Sequence, residues 1–200
     1  ELSYRIPETE TQLDIPYYHL FGQIDKQELK ELIPSLLASV SSDIEATLNE
    51  PSKNTMQKVV QLANAMAVLD TEHFEELFER VAKQGRSHRA TAHEQMNRKL
   101  FLDLLCYAGT TDAALFIKKL YEQDRITTSE AKEMIESVPQ NLFLVDAKVV
   151  EEYLNMFLSE KVQKQRHLAS STGIALGKMI NQATVKRQQM RGDIHDEQSI

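Results

Sequence analysis

The sequence has little of the residues that build disulfide scaffolds or β-sheets. Its 200 residues include one cysteine, no tryptophan, six glycines and five prolines. The single cysteine, Cys106, cannot form an internal disulfide, which excludes a disulfide-stapled fold and by itself favours a reducing compartment. The scarcity of glycine, proline and alternating β-branched residues is unfavourable for an all-β protein and favours helices.

Long hydrophobic runs and catalytic motifs are also missing from the sequence. No apolar run approaches the roughly 18 residues that are needed to span a bilayer, and the first residues do not resemble a signal peptide. There is no glycine-rich phosphate loop and no nucleophile elbow. We therefore expect a chain that does not span a membrane, is not an enzyme, and has no cofactor or metal of its own. The net charge of −7 argues against general nucleic-acid binding.

The histidines and the cysteine do not form a metal or catalytic pattern. His93 and Glu94 begin a sequence like the zinc-protease helix motif, but that motif requires a second histidine where Asn97 stands. His88 lies five residues before His93, about 140° round a helix, so the two imidazoles do not converge. We interpret both as solvated surface residues, and we predict that Cys106 is a buried, unreactive thiol. The integrin-type tripeptide at 191–193 is too short to carry information.

Helical periodicity and capping signals dominate the stretch from 100 to 158. Apolar residues repeat with helical spacing from Leu100 to Ala108, and Gly109 follows as the residue that accepts a left-handed conformation at a helix end. Thr110 or Thr111 is predicted to cap the next helix. The run 126–130 resembles a capping box that opens a third helix. Two further boundaries are predicted, an end at Pro139 and a cap at Asp146.

Similar signals extend over the rest of the chain. Asp25 is predicted to cap a helix that Pro34 kinks or splits, and Thr71 is predicted to cap a short helix. The last helix is expected from about 162 to 186. We divide the chain into an extended lead-in (1–24), a helical domain segment (25–187) and a polar tail that is expected to be disordered (188–200). The predicted fold is all-α, an arched double layer of antiparallel helices.

Small residues recur at intervals of four in the last predicted helix. They are Ala169, Gly173 and Gly177. Such spacing lets a neighbouring helix approach closely, so we predict that this helix crosses another one tightly at Gly173 and Gly177. A larger side chain at Gly177 would then push two backbones apart. We assign these two glycines and Gly109 structural roles.

The stretch from 161 to 191 contains seven basic residues and no acidic residue. This charge asymmetry is the strongest candidate for a binding surface, because an acid-free basic helix attracts an anionic partner. Three anionic partners are candidates: the acidic module of a receptor, phospholipid head groups, or an acidic surface of the same parent protein. The alternative is a solvated helix surface with no binding role. The candidate residues are Lys161, Lys164, Arg166, Lys178, Lys186 and Arg187.

Several short sequences carry a resemblance to a known family. They are Phe101-Leu102-Asp103, Ala108-Gly109-Thr110, the run 113–117, and the glycine-interrupted aliphatic run 174–180. Together they resemble the helical domain of the large lipid transfer proteins, which comprise vitellogenins, insect apolipophorins, apolipoprotein B and the microsomal triglyceride transfer protein. The resemblance covers residues 25–185.

This resemblance implies that the chain is a segment of a longer, secreted lipid transport lipoprotein. In that family the helical domain arches around β-sheets that enclose a lipid cavity, and it acts as a frame without chemistry of its own. The implied partners are the β-rich lipid-binding segments of the same parent protein, lipids held by the parent, and a lipoprotein receptor. The resemblance does not distinguish a yolk precursor, which is a nutrient reservoir, from a circulating lipid carrier or a clotting-protein relative.

A second hypothesis is an intracellular helical-repeat adaptor that binds other proteins through its concave face. The lone cysteine favours it, as does the lack of any Asn-x-Ser/Thr glycosylation site. The flanking sequence of the parent gene discriminates the two, because a signal peptide and large β-rich segments would identify the lipoprotein.

Overall fold

The computed structural model describes residues 2–5, 12–15, 23–47, 51–137 and 147–197, with side chains described for 23–47, 51–137, 148–156 and 158–181. Two short strands come first, β1 (Leu2–Arg5) and β2 (Gln12–Ile15). They pair antiparallel, with Leu2 opposite Ile15. Both lie within the segment that the sequence predicts as an extended lead-in.

Helices form almost all of the remaining structure, as predicted for an all-α fold. In chain order they are α1 (Lys26–Ala46), α2 (Lys53–Met66), α3 (Thr71–Leu77), a π-helical turn (Phe78–Ala82), a 3-10 turn (Gln84–Arg86), α4 (Ala92–Ala108), α5 (Thr111–Glu122), α6 (Thr128–Ser137), α7 (Ala147–Phe157), α8 (Glu160–Gln163) and α9 (Arg166–Glu197). In the part of the chain that the structure describes, no helix is long and apolar enough to cross a bilayer.

The helices are arranged in two layers. In one layer α1 contacts α3, α3 contacts α5 and α5 contacts α7, while in the other α2 contacts α4, α4 contacts α6 and α6 contacts α9. The layers meet where α1 packs on α2 and α4, and where α4 packs on α5. The aromatic core lies between them, and its fully buried side chains include Phe74, Phe78, Phe101, Phe116 and Tyr153. Helix α4 is therefore the central element of the array.

Most of the predicted helix starts are confirmed by hydrogen bonds. The Asp25 carboxylate accepts from the amides of Gln27 and Glu28 at the start of α1. Thr110 caps α5 by accepting from the Ala113 amide at 3.2 Å. Each cap satisfies amides that have no partner within the helix, which is why such local signals are readable from sequence.

The capping box that opens α6 is present in full. The Glu130 amide donates to the Thr127 hydroxyl at 3.2 Å, and the Thr127 amide donates to the Glu130 carboxylate at 2.7 Å. Two predicted boundaries, Pro139 and Asp146, lie outside the described residues.

Two predicted boundaries differ from the structure, and at Pro34 one of the two predicted alternatives is excluded. Asp70, one residue before Thr71, caps α3 by accepting from the His73 amide. Helix α4 begins at Ala92, because Thr91 and Glu94 form a capping box within a segment that the sequence predicts only as polar. Helix α1 runs unbroken from Lys26 to Ala46, which excludes a split at Pro34, and a kink there stays a prediction.

The end of the chain also differs from the prediction. The last predicted helix, 162–186, is divided into α8 and α9, and α9 continues to Glu197. It therefore extends into the segment 188–200 that the sequence predicts as a disordered tail. Glutamine, arginine and methionine are good helix formers, and no proline interrupts them before Glu197.

Gly109 has the left-handed conformation that the sequence predicts. It ends α4 with φ 62° and ψ 27°. We expect Gly109→Ala to lower the free energy of unfolding by about 1 kcal/mol, because a Cβ is unfavourable in this region. Gly109→Asn should cost less, since asparagine tolerates the left-handed conformation. Urea unfolding monitored by circular dichroism measures both, and an alanine variant as stable as the wild type would contradict the assignment.

Candidate functional site

Lys161 is the first residue of the predicted basic surface, and its ammonium group is bound within the chain. Its Nζ donates to the Asp124 carboxylate at 2.7 Å and to the Tyr121 carbonyl at 2.9 Å. The same ammonium lies 4.5 Å from the centre of the Tyr121 ring. The Lys161 hydrogen bond lowers the pKa of Asp124. Lys161 therefore attaches α8 to the end of α5.

The other predicted basic residues have different surroundings. Lys164 forms an exposed ion pair with Glu160 at 2.6 Å, and Lys178 donates to the Glu136 carbonyl at 3.3 Å. Arg166 is exposed and has no ion pair within the described part of the chain. The side chains of Lys186 and Arg187 lie outside the described residues. Lys164 and Arg166 are thus exposed, and the Lys161 side chain is 38% exposed in its ion pair with Asp124.

Gly173 and Gly177 do not lie at a close helix crossing, so that prediction is wrong. A Cβ added at either position would have no atom within 4 Å among the residues that the structure describes. Helix α9 instead buries Leu168, Ser171, Thr172 and Ala175, which lie on the other side of the helix. This buried side packs against α6. The small-residue spacing exists, but the neighbouring helix covers a different face.

The corrected position of Gly177 changes the expected effect of a substitution there. We expect Gly177→Ala to raise the free energy of unfolding by up to about 1 kcal/mol, because alanine has the higher helix propensity and its Cβ meets open space. Gly173→Ala should behave in the same way. Chemical denaturation measures both, and a loss of stability would show that a neighbouring segment covers this face.

Cys106 is buried, as predicted. Its side chain is 5% exposed, and burial raises the pKa of the thiol far above its ordinary value. It lines a cleft of about 290 Å³ between α4 and α6. Over the cleft, the Lys99 ammonium lies 3.3 Å from the Asp103 carboxylate and 3.6 Å from that of Glu133. Because the thiol stays protonated, Cys106 is not an activated nucleophile.

The histidines do not converge, and no metal site is formed in the described segments. His93 Nδ1 lies 3.9 Å from a carboxylate oxygen of Glu45, and His88 is exposed on the loop before α4. Within the residues that the structure describes, no three side chains of the metal-ligating types come together.

Arg98 makes four hydrogen bonds through its buried guanidinium, and the sequence analysis did not single it out. The side chain is 2% exposed and makes a bidentate pair with Glu130, with Nε to Oε1 at 2.6 Å and Nη2 to Oε2 at 2.9 Å. Its Nη1 also donates to the Ala82 carbonyl at 3.0 Å, and Nη2 to the Arg125 carbonyl at 2.9 Å. One guanidinium thus connects α4, the π-helical turn, the loop after α5, and α6.

Two features surround this guanidinium. Two cations lie over the Phe78 ring, with the Arg98 guanidinium 5.5 Å and that of Arg125 4.4 Å from its centre. Gly85 packs against the start of α4, where a Cβ would be 2.4 Å from the Glu94 carbonyl oxygen.

One sequence signal could have identified the Arg98 centre. Arg98 falls at helical spacing with the buried Leu102, so it is a charged residue within an apolar stripe.

The Arg98 centre is structural and not catalytic. The guanidinium atoms Nε, Nη1 and Nη2 all donate to carbonyl or carboxylate oxygens of the chain itself. Burial alone would raise the pKa of Glu130, but the hydrogen bonds from Arg98 and Thr127 outweigh burial and lower it. A carboxylate held in its ionised form by a buried guanidinium stabilises the fold.

The lowered pKa of Glu130 predicts a dependence of stability on pH. A carboxyl group whose pKa is lower in the folded state than in the unfolded state stabilises the fold at every pH above its ordinary pKa, which is 4.5 for glutamate. That stabilisation is lost as the pH falls through the folded-state pKa. In the variant Glu130→Gln, the glutamine side chain does not titrate and makes no such pH-dependent contribution. We therefore expect the wild type to be more stable than this variant at neutral pH, and the difference to shrink below pH 4.5. Urea unfolding at several pH values measures it, and a constant difference would contradict the prediction.

The sequence of the helical array matches a known family over most of its length. The family described as the vitellogenin TPR domain matches residues 31–197, which extend from the first turns of α1 to the last residue of α9. The chain belongs to the vitellogenin family. The match includes the Arg98 centre, the left-handed Gly109 and the basic stretch of α8 and α9.

Individual vitellogenins are distant relatives of this chain. It is 21% identical to vitellogenin of Anthonomus grandis over 81% of its own length, 24% identical to vitellogenin-A1 of Aedes aegypti over 78%, and 22% identical to vitellogenin of Bombyx mori over 78%. The aligned part is only 8–9% of each relative. No solved structure matches the chain significantly.

Proposed function

We propose that this chain is a non-catalytic structural segment of a secreted lipid transport lipoprotein, and that it frames the lipid cavity of the parent protein. The observation that best supports this proposal is the double layer of helices in a chain that belongs to the vitellogenin family. The proposed partners are β-rich lipid-binding segments of the same parent. No cofactor has a role in this segment, and the lipids belong to the parent.

The distribution of contacts supports a framing role. The helices bury their apolar faces largely against one another, and the polar centre at Arg98 is satisfied by the chain itself. A hydrogen-bonded buried network fixes the relative positions of the helices that contribute to it. The resulting array is suited to holding other segments in place.

Lipid analysis tests this proposal. We expect native full-length parent protein to release many lipid molecules on solvent extraction and mass spectrometry, whereas the 200-residue chain releases less than one per molecule. A parent that contains no lipid would contradict the transport role. Abundant lipid in the short chain would contradict the framing role, because the chain would then bind lipid itself.

A finer part of the proposal concerns receptor binding. Lys164 and Arg166 are surface cations on and beside α8 and α9, where an acidic receptor module could approach them. We expect Lys164→Glu with Arg166→Glu in the parent to weaken receptor binding and to reduce its salt dependence. The matched control is Lys53→Glu with Arg89→Glu, which reverses two exposed charges, one on α2 and one on the loop before α4. Equal effects of the two changes would show that only the overall charge matters.

A further inference from the structure

The cleft between α4 and α6 has a size and a lining that suit a small ligand. Its volume is about 290 Å³. Sites for small molecules usually have volumes of about 300–1,000 Å³, with mostly apolar walls and a few polar groups that orient the ligand. The cleft is at the lower end of this range, so it suits a compact molecule. We define this α4–α6 cleft by six of its lining residues, Lys99, Leu102, Asp103, Cys106, Glu133 and Met134.

Three buried side chains give the α4–α6 cleft an apolar interior. They are Leu102, Cys106 and Met134. Burial keeps the Cys106 thiol protonated by raising its pKa, so the thiol adds no charge to this interior. None of the three side chains has an oxygen atom, whereas a hard metal ion such as Ca²⁺ takes six to eight oxygen ligands. The interior therefore suits the hydrocarbon part of an organic molecule better than it suits a metal ion.

Two carboxylates and one ammonium group lie at the mouth of the cleft. The Lys99 ammonium is 3.3 Å from the Asp103 carboxylate and 3.6 Å from that of Glu133. The remaining charged side chains of the lining, Arg98 and Glu130, neutralise each other in their bidentate pair. The mouth is therefore left with an excess of negative charge, which attracts a cationic ligand and repels an anionic one.

Lys99 indicates which cationic group the mouth accepts. Burial alone would lower the pKa of Lys99, but the Asp103 and Glu133 carboxylates outweigh burial and raise it, so they stabilise a primary ammonium. The Lys99 side chain is nevertheless 60% exposed, and exposed ion pairs contribute little. Another ammonium can therefore replace it. Burial raises the pKa of Asp103 even with Lys99 beside it, so an additional cation would stabilise the ionised form of this carboxylate.

We propose that the α4–α6 cleft is a binding site for a small organic ammonium ion with a compact apolar body. The ammonium group of the ligand lies between the carboxylates of Asp103 and Glu133, in place of that of Lys99. The apolar body of the ligand packs against Leu102 and Met134. This binding role goes beyond the framing role of the chain and does not depend on it.

Tryptamine is a suitable probe of this site. The chain contains no tryptophan, so the indole fluorescence comes from the ligand alone. The 200-residue chain is titrated into tryptamine, and fluorescence anisotropy reports the bound fraction. We expect a Kd of about 1 mM or lower, as for a ligand of this small size. Indole-3-propionate, an anion with the same ring, should bind at least about tenfold more weakly, because like charges oppose each other at the mouth.

Substitutions at the mouth test the position of the ligand. We expect Glu133→Gln to weaken tryptamine binding by about three- to fivefold, which is the upper range for an exposed ion pair. Lys99→Met should strengthen binding by a similar factor, because it removes the competing ammonium. The matched control is Glu72→Gln, which neutralises an exposed carboxylate on α3, outside the lining of the cleft, and should change nothing. Both mouth residues are mainly exposed, so these variants should fold.

Amide chemical shifts of the isotope-labelled chain then locate the bound tryptamine. We expect the amides of Leu102, Cys106 and Met134 to shift and those of α7 to stay unchanged. The absence of binding would overturn the proposal, as would equal binding of the cation and the anion. Weaker binding to Lys99→Met would overturn it too, because Lys99 would then be a partner of the ligand and not its competitor. Equal weakening by Glu133→Gln and Glu72→Gln would show that only the net charge matters, which would also overturn it.

Discussion

Arg98→Met is expected to lower the free energy of unfolding by about 3–5 kcal/mol, which is the usual cost of removing one partner of a buried ion pair. The substitution leaves the Glu130 carboxylate without its bidentate partner and the Ala82 and Arg125 carbonyls without their donors. Methionine fills a similar volume, so the loss reports on the charge and hydrogen bonds and not on a cavity. Urea unfolding of the whole chain at neutral pH measures it.

A neighbouring residue provides the control for Arg98. Lys99→Met removes a charge from the same helix, but the Lys99 side chain is 60% exposed and its ion pairs are on the surface. Exposed ion pairs contribute little, so we expect a change below about 1 kcal/mol. The double variant Arg98→Met, Glu130→Gln should be more stable than Arg98→Met alone, because no uncompensated charge remains. If the two single methionine variants were equally stable, the Arg98 centre would have no special role.

Phe78→Ala is expected to cost about 3–5 kcal/mol, as is typical when a buried phenylalanine is truncated. The ring is 2% exposed and packs edge-on against Phe101 and Phe116, with centroids 6.2 Å apart in both pairs. The Arg98 and Arg125 guanidinium groups lie over its faces. The substitution therefore creates a cavity and removes the support of both cations. Thermal and chemical denaturation both report the loss.

Two comparisons separate the contributions at Phe78. Phe78→Leu keeps most of the volume but removes the ring, so we expect a smaller loss of about 1–2 kcal/mol from the aromatic and cation–π contacts. Tyr107→Ala on α4 truncates an aromatic side chain that is 49% exposed. A surface change of this kind is expected to stay within about 0.5 kcal/mol. If leucine were as destabilising as alanine, the ring contacts would outweigh the filled volume.

The parts of the fold that were predictable depend on contacts between residues close in sequence. The left-handed Gly109 and the capping box of Thr127 and Glu130 need partners no more than a few positions away. Their geometry is therefore encoded in a short window. The burial of Cys106 could also be predicted from a short stretch of sequence, because Cys106 lies on the apolar stripe of a single helix.

Helix α9 shows where such a window is insufficient. The spacing of Gly173 and Gly177 is compatible with a close helix crossing, and it is equally compatible with an open face. Nothing within α9 decides between the two, because the choice depends on which side of the helix α6 covers. The substitution Gly177→Ala therefore has opposite expected effects before and after the tertiary contacts are known.

The sequence by itself determined the helices, most of their caps, the two-layer fold class and the family. Only the tertiary structure decided which charged residues remain on the surface. Lys161 pairs with Asp124 across 37 positions, and Arg98 pairs with Glu130 across 32. No local rule predicts such partners, because a charge that is exposed on an isolated helix becomes buried or paired only when another helix packs over it. The same long-range packing brings Lys161 and Lys178 of the predicted basic surface to carbonyl oxygens of other helices, Tyr121 and Glu136.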